Sequence, residues 1–265
     1  MSTDYLTPVL TGRTLLRANP VSKLFAAAVI TLALMASIDW VSAAVVLTCE
    51  LVLMPLLGIS VLALARRIWP LLIAALIGAY GTALLAEKTG GVVLDVGPFL
   101  FTEGSVASGI AVGLRGLALA LPGIFVLLTT DPTDLADALA QKLHLPHRFV
   151  LGGLASLRLA GLLVEQWETL GLARHARGVG SDGSLVARIR NLLGQSFGLI
   201  VQAIRRGTRL ATAMEARGFG GGTRTWARTS TFSPLDAGVA VVGLLIAAGA
   251  VTAAVLAGTW NFILS

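Results

Sequence analysis

Charge is what this sequence has least of. Only 13% of its 265 residues are Asp, Glu, Lys or Arg, against about 25% in ordinary globular domains. Hydrophobic residues make up 55% and the mean hydropathy is +0.84. Too little polar surface exists to cover such a chain in water, so lipid is the solvent for much of it. Cysteine is nearly absent. Cys49 stands alone, which excludes an intrachain disulfide and a cysteine-based metal site. Histidine is scarce too: His144 and His147 lie close in sequence, but Pro146 interrupts them and no third ligand accompanies them. No metal site and no cofactor is expected. A phosphate-binding Gly-x-x-x-x-Gly-Lys-Ser/Thr loop is missing, so any nucleotide hydrolysis must come from another chain. Met1 to Pro20 is polar with scattered Arg and lacks the features of a secretory signal.

What charge there is has a pattern. The net charge is +6, but the basic residues fall between apolar blocks rather than in one soluble basic domain, which argues against nucleic acid as a partner. Five stretches are apolar enough and near enough to the roughly 20 residues needed to cross a bilayer as helices: Val21–Ile38, Trp40–Leu64, Ile68–Ala86, Ser105–Thr130 and Leu235–Leu264. The first is short, and Lys23 is expected to extend it by snorkelling to the interface. Asp39 alone separates the first two, which predicts a tight helical hairpin.

Orientation follows from the same residues. With the N-terminus in the cytoplasm and five single crossings, eighteen of the twenty Lys and Arg fall in inside segments. Outside there is only Lys88, among Glu87, Asp95 and Glu103. The positive-inside rule expects this asymmetry. It places the C-terminus outside and makes Asp131–Ser233 a cytoplasmic region.

That region reads as helical. Asp131-Pro132-Thr133-Asp134 is a stop followed by a helix start, with Thr133 or Asp134 as candidate cap. Helical spacing runs from Leu135 to Leu143, resumes after Pro146 from Phe149 to Arg177, and returns from Leu185 to Arg217. The last two stretches end alike. Leu170-Gly-Leu-Ala173-Arg-His-Ala176-Arg177-Gly178-Val-Gly180 and Leu210-Ala-Thr-Ala213-Met-Glu-Ala216-Arg217-Gly218-Phe-Gly220 match at an offset of 40 residues. Each Gly sits where a helix needs a residue able to adopt positive φ, and each Arg lies in the last turn, where the helix dipole favours a cation. One Ala-Arg-Gly is a common helix ending. Two with matching flanks imply two like knobs, hence two like sockets.

The resemblance is now specific. The chain resembles the EcfT/CbiQ family, the transmembrane coupling subunits of energy-coupling-factor (ECF) importers. Asn19-Pro20-Val21-Ser22-Lys23 is similar to the family's Asp-Pro-x-x-Lys lead, with Asn for Asp. Thr129-Thr130-Asp131-Pro132-Thr133-Asp134-Leu135 is similar to its Thr-Thr-x-Pro-x-x-Leu segment, and the two Ala-Arg-Gly ends complete the set. The resemblance implies an all-α polytopic membrane bundle of about five transmembrane helices. It implies membrane helices 1–4 within residues 1–130, a cytoplasmic coupling-helix domain over 131–233 and a last transmembrane helix over 234–265. Ala176, Arg177, Gly178, Ala216, Arg217 and Gly218 would bind two ABC-type ATPases, and a small membrane S component would hold the vitamin or transition-metal cargo. The chain itself would catalyse nothing.

Other residues are read from position alone. Glu50 and Arg115 lie inside spans, where a charge costs roughly 2.5–3.5 kcal/mol, so they are candidates for an intramembrane polar pair, for contact with the S component, or for a structural contact. Gly109-Ile-Ala-Val-Gly113 offers a close-packing face, most simply for a helix of this chain. His175 lies beside the first knob. A stand-alone secondary transporter or a membrane-embedded enzyme is the alternative. The first predicts inverted repeats with broken mid-membrane helices, and the second a polar catalytic cluster at one membrane face.

Overall fold

Proline and small polar side chains set where the apolar helices begin. Pro20 sits in the first turn of α1 (Pro20–Ala36), where its missing N–H leaves nothing unpaired, and the Asn19 side chain caps the helix by accepting from the Val21 N–H at 3.0 Å. Asp39 caps α2 (Trp40–Leu56): its carboxylate accepts from the Ser42 N–H and hydroxyl, both at 2.7 Å. Pro70 starts α3 (Trp69–Leu85). The computed structural model describes residues 18–260 apart from 38, 57–63, 67, 97–98, 179–183, 220, 222–224 and 227, with backbone alone at 56, 94–96, 99 and 100.

After α3 comes a hairpin of β1 (Val92–Val96) and β2 (Phe99–Thr102), antiparallel, with Val92 opposite Thr102 and Val96 opposite Phe99. Thr102 ends the strand and begins α4 (Glu103–Thr129). Its hydroxyl accepts from Ser105 N–H while the Ser105 hydroxyl accepts from Thr102 N–H, a reciprocal cap. Then follow α5 (Pro132–Lys142), α6 (His147–Ala176), α7 (Leu185–Ala216) and α8 (Pro234–Leu256).

The chain forms two compact units, Met1–Leu135 with Ser230–Ser265, and Ala136–Thr229. In the first, α4 packs against α1, α2 and α3, and α8 packs against α1 and α2. Its core is Ile30, Leu34, Ala43, Val46, Ala118, Ile246 and Ala250. In the second, α6 and α7 pack on each other. The all-α membrane architecture expected from composition is what is observed. The helices α4, α6 and α8 are long and apolar enough to cross a bilayer, whereas α1, α2 and α3 are apolar but have 17 residues each. For α1 and α3, at 1.5 Å per residue, that is about 26 Å against a hydrocarbon core of about 30 Å, a difference small enough for a bilayer to absorb by local thinning.

The structure corrects several expectations. Lys23 does not snorkel: it is buried, and its Nζ donates to the Thr129 carbonyl at 2.7 Å, because the last turn of α4 presents carbonyls that favour a cation. The cap of α5 is Asp131, whose carboxylate accepts from Thr133 N–H at 2.7 Å; with Pro132 in the first turn, Thr133 and Asp134 are already helical. The segment between α3 and α4, outside the expected spans, holds the hairpin. Of the expected second span, Trp40–Leu56 is helical and 57–63 lie outside the described residues. The last ends at Leu256, capped by Gly258 at φ +67°, and 261–265 lie outside the described residues. Finally, α6 is long and apolar enough to cross a bilayer, a property not read from its sequence.

Small residues let these helices approach. A Cβ on Gly243 of α8 would lie 2.6 Å from the Cβ of Ala26, and one on Gly109 would lie 2.5 Å from the Ala79 carbonyl. The Gly109–Gly113 face therefore packs within the chain, on Ala75, Ala79 and Ala83 of α3. Gly249, also on α8, has nothing within 4 Å. Gly243→Ala is expected to destabilise the purified protein by about 1–3 kcal/mol through overpacking, and Gly249→Ala to leave its melting temperature unchanged or higher. Equal melting temperatures for Gly243→Ala and wild type would contradict the close α1–α8 contact.

Candidate functional site

The two helix ends singled out by the repeat have the same backbone geometry. Arg177 closes α6 at φ −88°, ψ 8°, and Arg217 closes α7 at φ −89°, ψ 9°. Gly178 follows at φ +75° and Gly218 at φ +70°, a left-handed conformation that only glycine adopts freely. Gly178 N–H donates to His175 O and Gly218 N–H to Glu215 O, each at 2.9 Å. At the second end Phe219 N–H also donates to Met214 O at 2.9 Å, which completes a Schellman cap. Ala176, Arg177, Gly178, Ala216, Arg217 and Gly218 are all exposed. Among the described residues none accepts a hydrogen bond from either guanidinium.

The pairing of α6 with α7 fixes where these ends lie. Arg174 Nε donates to Asn191 Oδ1 at 2.8 Å, Gln195 Nε2 donates to the Trp167 carbonyl at 2.6 Å, and Gln166 meets Gln202 and Arg206. Positions fall along α6 as they rise along α7, so the helices are antiparallel and the two ends point opposite ways. From Asn191 to Arg217 the helix rises about 40 Å, which sets the spacing of the two knobs. Beside Arg217 and Gly218 a groove of about 850 Å³ runs between the start of α6 and the end of α7, lined by His147, Leu151, Arg158, Leu162, Met214 and Phe219.

Hydrogen bonds tie α6 to α7, and one apolar side of α7 is left uncovered. Val186, Ile189, Leu193, Phe197, Ile200 and Ile204 share one face at helical spacing and all are exposed.

Glu50 and Arg115 are not brought together. Glu50, on α2, is 4% exposed, and both its carboxylate oxygens are buried without a hydrogen-bond partner among the described residues. Arg115, half-buried on α4, leaves it unpaired, so the ion pair that the sequence allowed is not formed. His144 follows α5 at φ +52° and His147 opens α6. Among the described residues no group of three His, Cys, Asp or Glu could hold a metal ion.

One polar site was missed. The Asp236 carboxylate accepts from Asn19 N–H, from the Ser22 hydroxyl at 3.0 Å, and from both the N–H and hydroxyl of Ser233. Ser233-Pro234-Leu235-Asp236 before an apolar run is a legible helix-start signal. Its long-range half, the tie to Asn19 and Ser22, has no local signature.

The glycine caps can be tested apart from any partner. Gly218→Ala forces an L-residue into the left-handed region at about 1–2 kcal/mol, so the Phe219 amide should exchange hydrogen about 5–30-fold faster. Gly207→Ala, inside α7 with nothing within 4 Å, should slow exchange along the helix. Unchanged protection of Phe219 in Gly218→Ala would remove the cap argument.

Comparison with known proteins agrees on one family. The family model CbiQ, cobalt transport protein, matches residues 12–227. The energy-coupling factor transporter transmembrane protein EcfT of Brevibacillus brevis is 36% identical over 172 residues, 62% of this chain and 65% of the relative. That of Bacillus subtilis is 33% identical over 174 residues, 62% of this chain and 66% of the relative. EcfT 1 of Listeria monocytogenes is 28% identical over 222 residues, 80% of this chain and 83% of the relative. The chain thus spans just under two thirds of the length of the first two. With the double Ala-Arg-Gly endings and the family model covering most of its length, the chain belongs to the CbiQ/EcfT family of membrane transport proteins.

Proposed function

We propose that this chain is the transmembrane coupling subunit of an ECF-type importer, linking ATP hydrolysis by two partner ATPases to uptake of a vitamin or transition-metal ion through a membrane S component. The observation that carries this reading is the pair of equivalent helix ends. Two exposed Arg-Gly caps with the same backbone angles suit two equivalent grooves, which a homodimer or a pair of homologous ATPases supplies. Arg177 and Arg217 would each donate charge-assisted hydrogen bonds to acidic groups there, about twice as strong as neutral ones. Ala176 and Ala216 keep the tips narrow. The relatives from Brevibacillus brevis and Bacillus subtilis bear the name of ECF transporter transmembrane proteins, which supports the assignment. The partner chains supply the chemistry, and this one transmits it.

The outward apolar face of α7 supports a place at the membrane surface. A helix with a basic side and an uncovered apolar side lies in the interface plane, its apolar residues in lipid or against a membrane partner. We place α6 with it on the cytoplasmic side despite its length. It carries Arg148, Arg158, Glu165, Glu168 and Arg174, and it meets α7 through polar groups.

Topology is directly testable. In a Cys49→Ala background, a cysteine replacing Gly91 should react with an impermeant thiol reagent on intact cells. One replacing Gly221 should react only after permeabilisation. Reversed labelling would put the two Arg-Gly ends on the wrong side for cytoplasmic ATPases.

For the knobs, losing a desolvated charge pair at an interface costs about 2–5 kcal/mol, so Arg177→Glu or Arg217→Glu should weaken ATPase co-purification by roughly 30-fold or more. The double substitution should abolish it while the protein is still expressed and inserted. Glu should be worse than Ala, since it sets two acids face to face. ATPase recovery and uptake at wild-type levels in the doubly substituted protein would reduce the repeat to a way of ending two helices.

A further inference from the structure

The chain passes from the membrane unit into residues 136–229 and back only twice, and one turn of α1 holds both passages. On the way in, α4 ends at Thr129, Thr130 and Asp131 break the helix, and α5 begins at Pro132. Lys23 Nζ donates to the Thr129 carbonyl at 2.7 Å, on the last residue before that break. On the way out, Asn19 Nδ2 donates to the Ser230 hydroxyl at 2.8 Å and to the Thr231 carbonyl at 3.2 Å. Asn19 N–H and the Ser22 hydroxyl donate to Asp236, in the first turn of α8. Asn19, Ser22, Lys23, Thr129 and Asp236 are each at most 6% exposed.

Taking an ammonium out of solvent is costly unless it is well paired, and the last carbonyls of a helix can be met by water or by a tighter final turn. A buried lysine is therefore not needed merely to end α4. Its charge is shared: the carboxylates of Asp134, in the first turn of α5, and of Asp236 both act on it. We propose that the turn at 19–23 is the clasp through which movement of the 136–229 unit reaches the membrane helices, with Lys23 as its positioning residue. This deepens the coupling role proposed above and rests on it. A unit joined by slack chain would move without moving the helices. Here α5 is continuous helix across the first boundary. Beyond both boundaries Gln141 Nε2 donates to the Arg228 carbonyl at 2.8 Å. The two passages are thus tied within each unit.

The test separates the clasp from the coupling role. Lys23→Met keeps the length of the side chain and removes the charge. Asp236 retains its donors from Asn19, Ser22 and Ser233, and Asp134 is exposed. No buried charge is stranded, so the chain should insert; Lys23→Gln serves if it does not. In the full chain alone, in lipid nanodiscs, amides of 130–135 should exchange hydrogen about tenfold faster in Lys23→Met, with α6 and α7 unchanged. A spin label on Leu245→Cys, on the exposed side of α8, in a Cys49→Ala background then reports the membrane helices in the complex purified with its ATPases. Its spectrum should shift on adding ATP with vanadate, and Lys23→Met should lose that shift while retaining the ATPases. Gly109→Ala, which crowds α4 against α3, should cost stability and keep the shift. A wild-type chain that recovers no ATPases would sink the coupling role and the proposal with it. With ATPases recovered, four results would each overturn the clasp alone: unchanged exchange at 130–135, a wild-type label that does not respond, a shift that survives Lys23→Met, or a loss that Gly109→Ala reproduces. Loss of the ATPases from Lys23→Met would also overturn it, since the residue would then serve assembly rather than transmission.

Discussion

The Asp236 carboxylate is the constraint on which the membrane unit depends. In lipid, apolar surface gains nothing by leaving the solvent, so helices associate through close packing and internal polar bonds. Asp236 opens α8 and is 4% exposed. It gathers donors from Asn19 and Ser22 at the start of α1 and from Ser233 before its own helix. Hydrogen bonds to a charged group contribute about 1.5–3 kcal/mol each, and leaving such a carboxylate unpaired would cost more than forming them returns. One turn further along α1, Lys23 ties the same end to α4 through the Thr129 carbonyl. Two residues 213 positions apart in sequence, Lys23 and Asp236, thus hold α1 to α4 and to α8.

This network also gives the Asn-Pro-Val-Ser-Lys segment a physical meaning. Where the family pattern has Asp, this chain has Asn19, and the amide does what a carboxylate cannot. Its Nδ2 donates to the Ser230 hydroxyl at 2.8 Å and to the Thr231 carbonyl at 3.2 Å, while its Oδ1 still caps α1. An Asp would keep the cap and lose both donors. With Asp236 already next to it, a second acid would add like-charge repulsion as well. The departure from the pattern is therefore coherent with its surroundings.

Much of the fold was legible because apolar runs and caps are local. The starts of α1, α2 and α8 lie within a few residues of their expected positions, since proline and capping side chains act over one turn. The left-handed glycines at 178 and 218 were readable because a helix end needs them. What depends on pairing across the chain was not. The β1–β2 hairpin sits in a stretch with too few residues for periodicity to separate strand from loop. Lys23 looked like a snorkelling residue until α4 supplied a carbonyl. Glu50 and Arg115 could be read as intramembrane charges, but only packing decides whether two such charges meet, and here they do not.

The unit of residues 136–229 follows a different rule. Its two long helices are hydrogen-bonded through Arg174–Asn191, Gln195–Trp167 and the Gln166–Gln202 contact, while six apolar residues along one face of α7 are exposed. A soluble helical hairpin buries its apolar stripe between the helices. An uncovered apolar face of this size is unfavourable in water, and it becomes favourable where lipid or another apolar surface covers it. Both helix ends stay free, because the hydrogen bonds lie along the shafts and stop short of Arg177 and Arg217. A hairpin that spent its apolar face on itself would have no surface left for a membrane. One whose pairing extended to its tips would have no end left to offer a partner.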